Sequence, residues 1–325
     1  MSEMDVPFPF YSAAQVRELL DYRGCIAAMR QAMSEFTASR SVQPLRSISQ
    51  LGPGRLFAQM PGTLPEPGGF GAKLISVFTD PGSGRTAHRG IVVLFEPLHG
   101  EVSCIADAGE ITHIRTAAAT AMATDALARQ DARRLTIFGC GAQAATHVRA
   151  LALVRSLERV VIWGRSPDKA TALAATLAAE TGLEIVAETD GQRAASGADI
   201  ICTVTASPTP ILLSDWVKPG THINAVGSSH AGPVEVDPEL VVRSRYIADV
   251  RASVQAAAAE LIVAREAGLL TDAHIVAEIG DVLLGQVAGR TSAEDITFYK
   301  SLGHVVQDLA AVTYVHRRAQ EGKVA

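Results

Sequence analysis

Between Leu135 and Ala144 the sequence reads LTIFGCGAQA, a short apolar run followed by a turn built on Gly139 and Gly141. This is the G-x-G-x-x-A form of the turn that seats a dinucleotide pyrophosphate, and each small residue has a task. Gly139 permits the tight turn, Gly141 lets the phosphate reach the backbone, and Ala144 lets the following helix pack against its strand. The free N–H groups of that helix, which opens at Ala142 and Gln143, face the anion. An isolated glycine pattern carries little weight; here a strand precedes it, a helix follows it, and a second strand, RVVIW, ends at the expected distance. That second strand runs into Gly164-Arg165-Ser166, where an NAD site presents an acidic residue to the ribose hydroxyls. With no acid there, Arg165 and Ser166, helped by Lys169, suit a 2′-phosphate, so the expected cofactor is NADP, with NAD as the alternative. Two further segments, Thr203-Val-Thr205-Ala-Ser-Pro208 and Val226-Gly-Ser-Ser-His230, follow later strands at their carboxyl ends, where such sheets open their cofactor crevice. Thr203, Thr205 and Val226 join the candidate cofactor-binding residues.

A second signal lies in the choice of cations. Lysine and arginine together number 29, yet only five are lysines, and Lys73 is the only one before Lys169. In a chain that uses arginine wherever a surface cation will serve, a lysine inside the apolar run AKLISVF needs its own explanation.

The elements that must position these groups fall into two patterns. Residues from Ser12 to about Ser39 carry apolar positions at helical spacing after a Ser12 N-cap, which predicts one or two amphipathic helices. From Arg55 to Asp107 the runs RLFAQM, AKLISVF, GIVVLFE and EVSCIAD, separated by Pro/Gly-rich turns, predict a mostly antiparallel sheet. A helix over Ile114–Asp131 leads to strands LTIFG, RVVIW, EIVAE, DIICTV, HINAVG and RYIADV alternating with helices, the pattern of a parallel sheet. The fold class is therefore α/β: a Rossmann-type doubly wound sheet over 117–291 and an α+β domain over 1–116. A capping-box-like Ser292-Ala-Glu-Asp295 predicts one long C-terminal helix within 292–325, expected to return to the first domain.

Composition bounds the partners. With a net charge of −5 and 48% hydrophobic residues the chain has no basic footprint for nucleic acid. No apolar stretch reaches the length of a membrane helix and no leader opens the sequence, so a cytoplasmic protein is expected. Cys25, Cys104, Cys140 and Cys202 show no metal-ligand or disulfide spacing and read as small buried apolar residues.

The run Ile111-Thr-His-Ile-Arg115-Thr-Ala-Ala118, GCGAQA soon after it, Gly289-Arg290, and Ile296-Thr-Phe-Tyr-Lys300-Ser-Leu-Gly303 together resemble the ornithine cyclodeaminase and mu-crystallin family over nearly the whole chain. The resemblance implies a homodimer whose first domain makes the subunit contact and binds substrate against a nicotinamide held by the Rossmann domain. Its members handle a carbon carrying both nitrogen and carboxylate. Arg46, Lys73 and Arg115 match the family's basic residues. Their chemistry agrees, since the arginine forks suit a carboxylate and a buried lysine suits proton transfer. Lys73 and Arg115 are the expected catalytic residues, with Arg46 and Ser229 binding substrate beside them.

One departure bears on the reaction. Cyclodeaminases of the family carry an aspartate in the loop after the fifth Rossmann strand, and the resemblance puts Ser229 at that position. A serine supplies no carboxylate, which favours hydride transfer to a preformed cyclic ketimine of the pyrroline-2-carboxylate type over cyclisation of ornithine to proline and ammonia. A protein that binds NADPH and a small ligand without turnover is the third reading. His230 and His88 stand near the expected substrate site without a fixed role, and no metal is expected.

Overall fold

The computed structural model describes residues 8–79, 82 and 86–324. The chain divides into two compact units, Met1–Arg115 with His304–Ala325, and Thr116–Gly303.

The first unit opens with β1 (Phe10–Tyr11), α1 (Ala13–Leu19) and α2 (Tyr22–Ser39). Ser12 caps α1 and pairs with Gln15 in a capping box, while Asp21 caps α2, so the helical stretch is two helices, each with its own start signal. The strands β2 (Ser47–Gly52), β3 (Arg55–Thr63), β4 (Phe70–Thr79), β5 (Thr86–Phe95) and β6 (Val102–Asp107) form with β1 a six-stranded sheet in the order β1-β6-β5-β4-β3-β2. Every neighbouring pair is antiparallel except β1 with β6. Alternation sets its faces: Met60, Lys73, Val92 and Ala106 lie in one register row and are all buried, whereas the next row, Gln59, Leu74, Ile91 and Asp107, is only partly covered. Asp107 accepts from the Glu110 amide and so caps α3 (Ala108–Leu127), which begins six residues ahead of the helix expected from Ile114.

The second unit carries eight parallel strands, β7 (Arg134–Phe138), β8 (Arg159–Trp163), β9 (Glu184–Glu188), β10 (Ile200–Thr203), β11 (His222–Ala225), β12 (Arg245–Ala248), β13 (Ile275–Glu278) and β14 (Thr297–Lys300). Their order is β13-β12-β14-β11-β10-β7-β8-β9, so the winding reverses at β7, with β8 on one side and β10 on the other. Helices α4 (Ala142–Leu151), α5 (Pro167–Thr181), α6 (Gly191–Ser196), α7 (Pro238–Arg243), α8 (Arg251–Ala257), α9 (Ala259–Glu266) and α10 (Ile279–Leu283) connect them. Such a reversal is where sheets of this kind bind ligands.

The expected helix from Ser292 does not form. Ser292 and Asp295 exchange side-chain bonds within a tight turn, and Thr297–Lys300, all buried, insert as β14 between β11 and β12. Its first three residues, Thr297, Phe298 and Tyr299, are β-branched or aromatic, fitted to a strand buried on both faces. Gly303, at φ +79°, then turns the chain into α11 (Val305–Val324). The part of the tail that belongs to the first unit is therefore His304–Ala325, not 292–325.

Candidate functional site

In the second unit Gly139 closes β7 at φ +137°, and a side chain there would strike Val204 at 2.9 Å, so the turn demands glycine. Open space surrounds the position a Gly141 side chain would take, and no side chain caps α4 at Gly141. Ala144 is fully buried. An uncapped helix start beside an unobstructed glycine fits a pyrophosphate: Gly139 and Gly141 admit it, and the first-turn amides of α4, from Ala142 and Gln143 on, receive it. Arg165 is exposed just beyond β8, and Ser166 caps α5 through the Lys169 amide.

The two crevice loops are tied together by a residue the sequence did not single out. Glu235, wholly buried, accepts from the Thr203 hydroxyl at 3.0 Å, from the Thr205 amide and hydroxyl at 2.6 and 2.7 Å, and from the Ser228 amide at 2.9 Å. Burial pushes its carboxyl upward against those bonds and the Lys300 charge. Thr203 and Thr205 thus aim their hydroxyls at Glu235. Gly227 is obligatory, because a side chain would meet the Thr205 carbonyl at 2.0 Å. Val226 is buried and its amide donates to the Thr203 carbonyl. Ser229 is half-buried and His230 exposed.

In the first unit Lys73 is 2% exposed and Arg115 4%. One oxygen of Asp308, on α11, accepts from Lys73 Nζ and from Arg115 Nε, both at 2.9 Å. Lys73 also donates to the Thr112 hydroxyl at 2.6 Å, and Arg115 Nη1 donates to Gln307 Oε1 at 2.9 Å. Burial pulls the Lys73 pKa down to about 8; Asp308 opposes that, and Arg115 and Arg46 add to it by repulsion. Burial would raise the Asp308 carboxyl, but Arg115 and Lys73 outweigh it and hold it below the usual carboxylate range. Both groups shift downward, the lysine chiefly through burial with repulsion from the arginines added, the aspartate through its two cations. Arg46, half-buried just before β2, is near enough for its charge to act on Lys73 and on His304. His304 is kept neutral by burial, its pKa lowered to about 4. The sequence reading thus names the cations; it missed Asp308, Gln307, Thr112 and Glu235. The side chain of His88 lies outside the described residues.

Among the described residues no cluster of three His, Cys, Asp or Glu side chains suits a metal, and no helix is long and apolar enough to cross a membrane. All four cysteines are free, three of them buried and Cys140, in the glycine turn, partly exposed.

A winding reversal with a glycine turn and a bare helix start at its edge defines an α/β protein of the Rossmann dinucleotide-binding class. The chain belongs to the ornithine cyclodeaminase/mu-crystallin family, whose model matches residues 9–323. It is 31% identical over 316 residues to a Delta(1)-pyrroline-2-carboxylate reductase of Bacillus thuringiensis subsp. konkukian, covering 96% of this chain and 97% of that one. It is 33% identical over 324 residues to the ketimine reductase mu-crystallin of Mus musculus, covering 97% and 98%. Among solved structures, the Thermococcus litoralis Delta(1)-pyrroline-2-carboxylate reductase in complex with NADH and L-proline superposes with a TM-score of 0.92 at 26% identity, covering 97% of this chain and 98% of that one.

Proposed function

We propose that this chain is an NAD(P)H-dependent ketimine reductase that acts on a small cyclic imino acid of the pyrroline-2-carboxylate type. The observation that carries the reading is the buried Lys73–Asp308–Arg115 cluster, in which one carboxylate faces two cations with a third, Arg46, close by. A buried cation excess is costly unless an anion arrives, and a substrate carboxylate is such an anion. Full-length relatives that reduce C=N bonds support the same chemistry.

A reduced nicotinamide supplies the hydride when bound. Gly139, Gly141, Ala142 and Gln143 would hold its pyrophosphate, with Ala144 keeping α4 close to β7, and Thr203, Thr205 and Val226 would shape the loops beside it. Arg115 and Arg46 clamp the substrate carboxylate and fix the plane of the C=N bond. Lys73 donates its spare ammonium hydrogen to the imine nitrogen and gives up that proton as the hydride arrives, which makes the carbon the better electrophile. One imine, one hydride equivalent and one proton give one amino acid, so the balance needs no further reactant. Ser229 brings no carboxylate to the reaction, in keeping with reduction of a preformed imine.

The cofactor reading is a preference for NADP over NAD, supported by exposed Arg165 with Ser166 and by the lack of an acid at the end of β8. The assembly is a homodimer in the cytoplasm. The half-covered face of the six-stranded sheet, with Phe57, Leu74, Ile91 and Val93 on it and Phe78 40% exposed, needs a partner surface, and a second copy supplies one.

Absorbance at 340 nm tests the function, with NADPH and NADH offered against pyrroline-2-carboxylate, piperideine-2-carboxylate, pyruvate with amines, and ornithine. Consumption of NADPH with a cyclic ketimine is the expected outcome. Ammonia release from ornithine with only catalytic NAD would replace the reading with a cyclodeaminase. Saturable ligand binding with no turnover across the panel would replace it with a binding protein.

A further inference from the structure

Lys73, from β4, and Arg115, from α3, meet a single side chain that comes from neither. Asp308 stands in the first turn of α11, where the helix start favours a carboxylate. It is completely buried, one oxygen receives both cations, and the other, equally buried, has no hydrogen-bond partner among the described residues.

The donor inventory shows what this arrangement leaves over. The Thr112 hydroxyl gives its own hydrogen to the Ala108 carbonyl, so it receives one from Lys73. Asp308 takes a second. An ammonium has three hydrogens and a neutral amine two, so the one Lys73 can offer a ligand exists only while the lysine is charged. Arg115 spends Nε on Asp308 and one Nη1 hydrogen on Gln307, which leaves three of its five N–H groups unengaged among the described residues.

We infer that Asp308 is the positioning residue of the basic cluster: through one oxygen it fixes the Lys73 ammonium and the Arg115 guanidinium side by side and keeps the lysine charged despite its burial. The inference rests on the proposed reading for its catalytic consequence, though not for its physical content. The charged and titratable groups around Lys73 and Asp308 are Arg115 on α3, Arg46 before β2, His304 before α11 and Cys25 on α2. The two arginines repel the ammonium, while burial keeps the histidine neutral and the thiol protonated. Asp308 is the one anion among them, and without it the lysine is the group that sheds its charge.

The chain's five lysines make the test direct, because lysine labelled with carbon-13 at Cε gives few enough signals to follow each by NMR. The Lys73 signal is the one lost in Lys73→Arg. In the wild type the expected midpoint is near pH 8, where burial places the lysine. In Asp308→Asn the midpoint falls by about a unit or more, which lowers the ammonium fraction at pH 8 about fivefold. The alkaline limb of kcat/KM for ketimine reduction moves with it, so activity drops about fivefold at pH 8 and far less at pH 6, with NADPH affinity unchanged. A merely structural role would depress activity equally at all pH values. An unmoved Lys73 midpoint in Asp308→Asn overturns the inference. So does a wild-type midpoint near the ordinary lysine value, and that arm needs no variant to fold. A wild type that reduces no imino acid sinks the functional reading alone, since the Lys73 titration is still readable.

Discussion

Two lysines are buried in strands of this arginine-preferring chain, Lys73 in the first unit and Lys300 in the second, and they are built differently. Lys300 gives its three hydrogens to the Ser228 carbonyl at 2.8 Å, the Ser228 hydroxyl at 2.9 Å and Glu260 at 3.0 Å. The other Glu260 oxygen takes the Tyr246 hydroxyl at 3.0 Å. Every donor is used, and the ammonium sits among buried carboxylates, paired with Glu260 and near enough for its charge to act on Glu235 and Asp249. Lys73 spends two hydrogens and shares its anion with Arg115, and one Asp308 oxygen has no partner among the described residues. Burial alone therefore does not mark a chemical lysine; an unfilled donor beside an excess of cations does. The saturated network holds the Ser228 loop from one side as Glu235 holds it from the other. The unsaturated one keeps a donor open, which is what the proposed substrate site requires.

The sharpest way to break this contrast is to remove each ammonium in turn. Lys73→Met should leave the fold and NADPH binding intact and lower kcat/KM by about a thousandfold or more, because a positioned cation acting on a charge-developing step is worth that much in a dry site. Full turnover in this variant would dismiss the catalytic role. Lys300→Met should act on stability first: it strands Glu260 in the interior, at a cost of about 3–5 kcal/mol, measurable by denaturant unfolding. A Lys300 variant that unfolds like wild type yet loses its chemistry would reverse the two assignments.

What the sequence disclosed followed the range of the interactions. The glycine turn is local, so its residues and the strand and helix around it were legible at once. Lys73 was legible through its rarity. Asp308 was not, since 235 residues separate it from Lys73 and nothing near it marks an aspartate of α11 as the partner of a strand lysine. Glu235 escaped for the same reason, lying 30 residues from the Thr205 amide it binds. The tail shows how a local signal misleads: Ser292 and Asp295 do exchange bonds, but the next residues obey the two parallel neighbours waiting for them in the sheet. Tertiary pairing overrode a helix-start pattern.

Smaller in effect is the pH dependence. Because burial lowers the Lys73 pKa to about 8 and the charged form is the one that donates to the ligand, kcat/KM should hold level below that pH and fall as pH rises through it. A profile measured from pH 6 to 10 that stays flat to its upper end would mean that the spare hydrogen of Lys73 is not used.

The smallest expected effect concerns the other unit's charged edge. Arg165 is exposed, so whatever it contributes to a 2′-phosphate is screened by water and is weaker than any bond within the buried cluster. A charge-assisted bond of that kind is worth about tenfold in affinity. Arg165→Ala should therefore raise KM for NADPH about tenfold, leave KM for NADH within about twofold, and reduce the dependence of NADPH binding on salt. Wild-type kinetics in which NADH serves at least as well as NADPH would remove the premise. The exposed arginine would then be a solvated surface charge, and cofactor choice would fall to the backbone of the turn after β8.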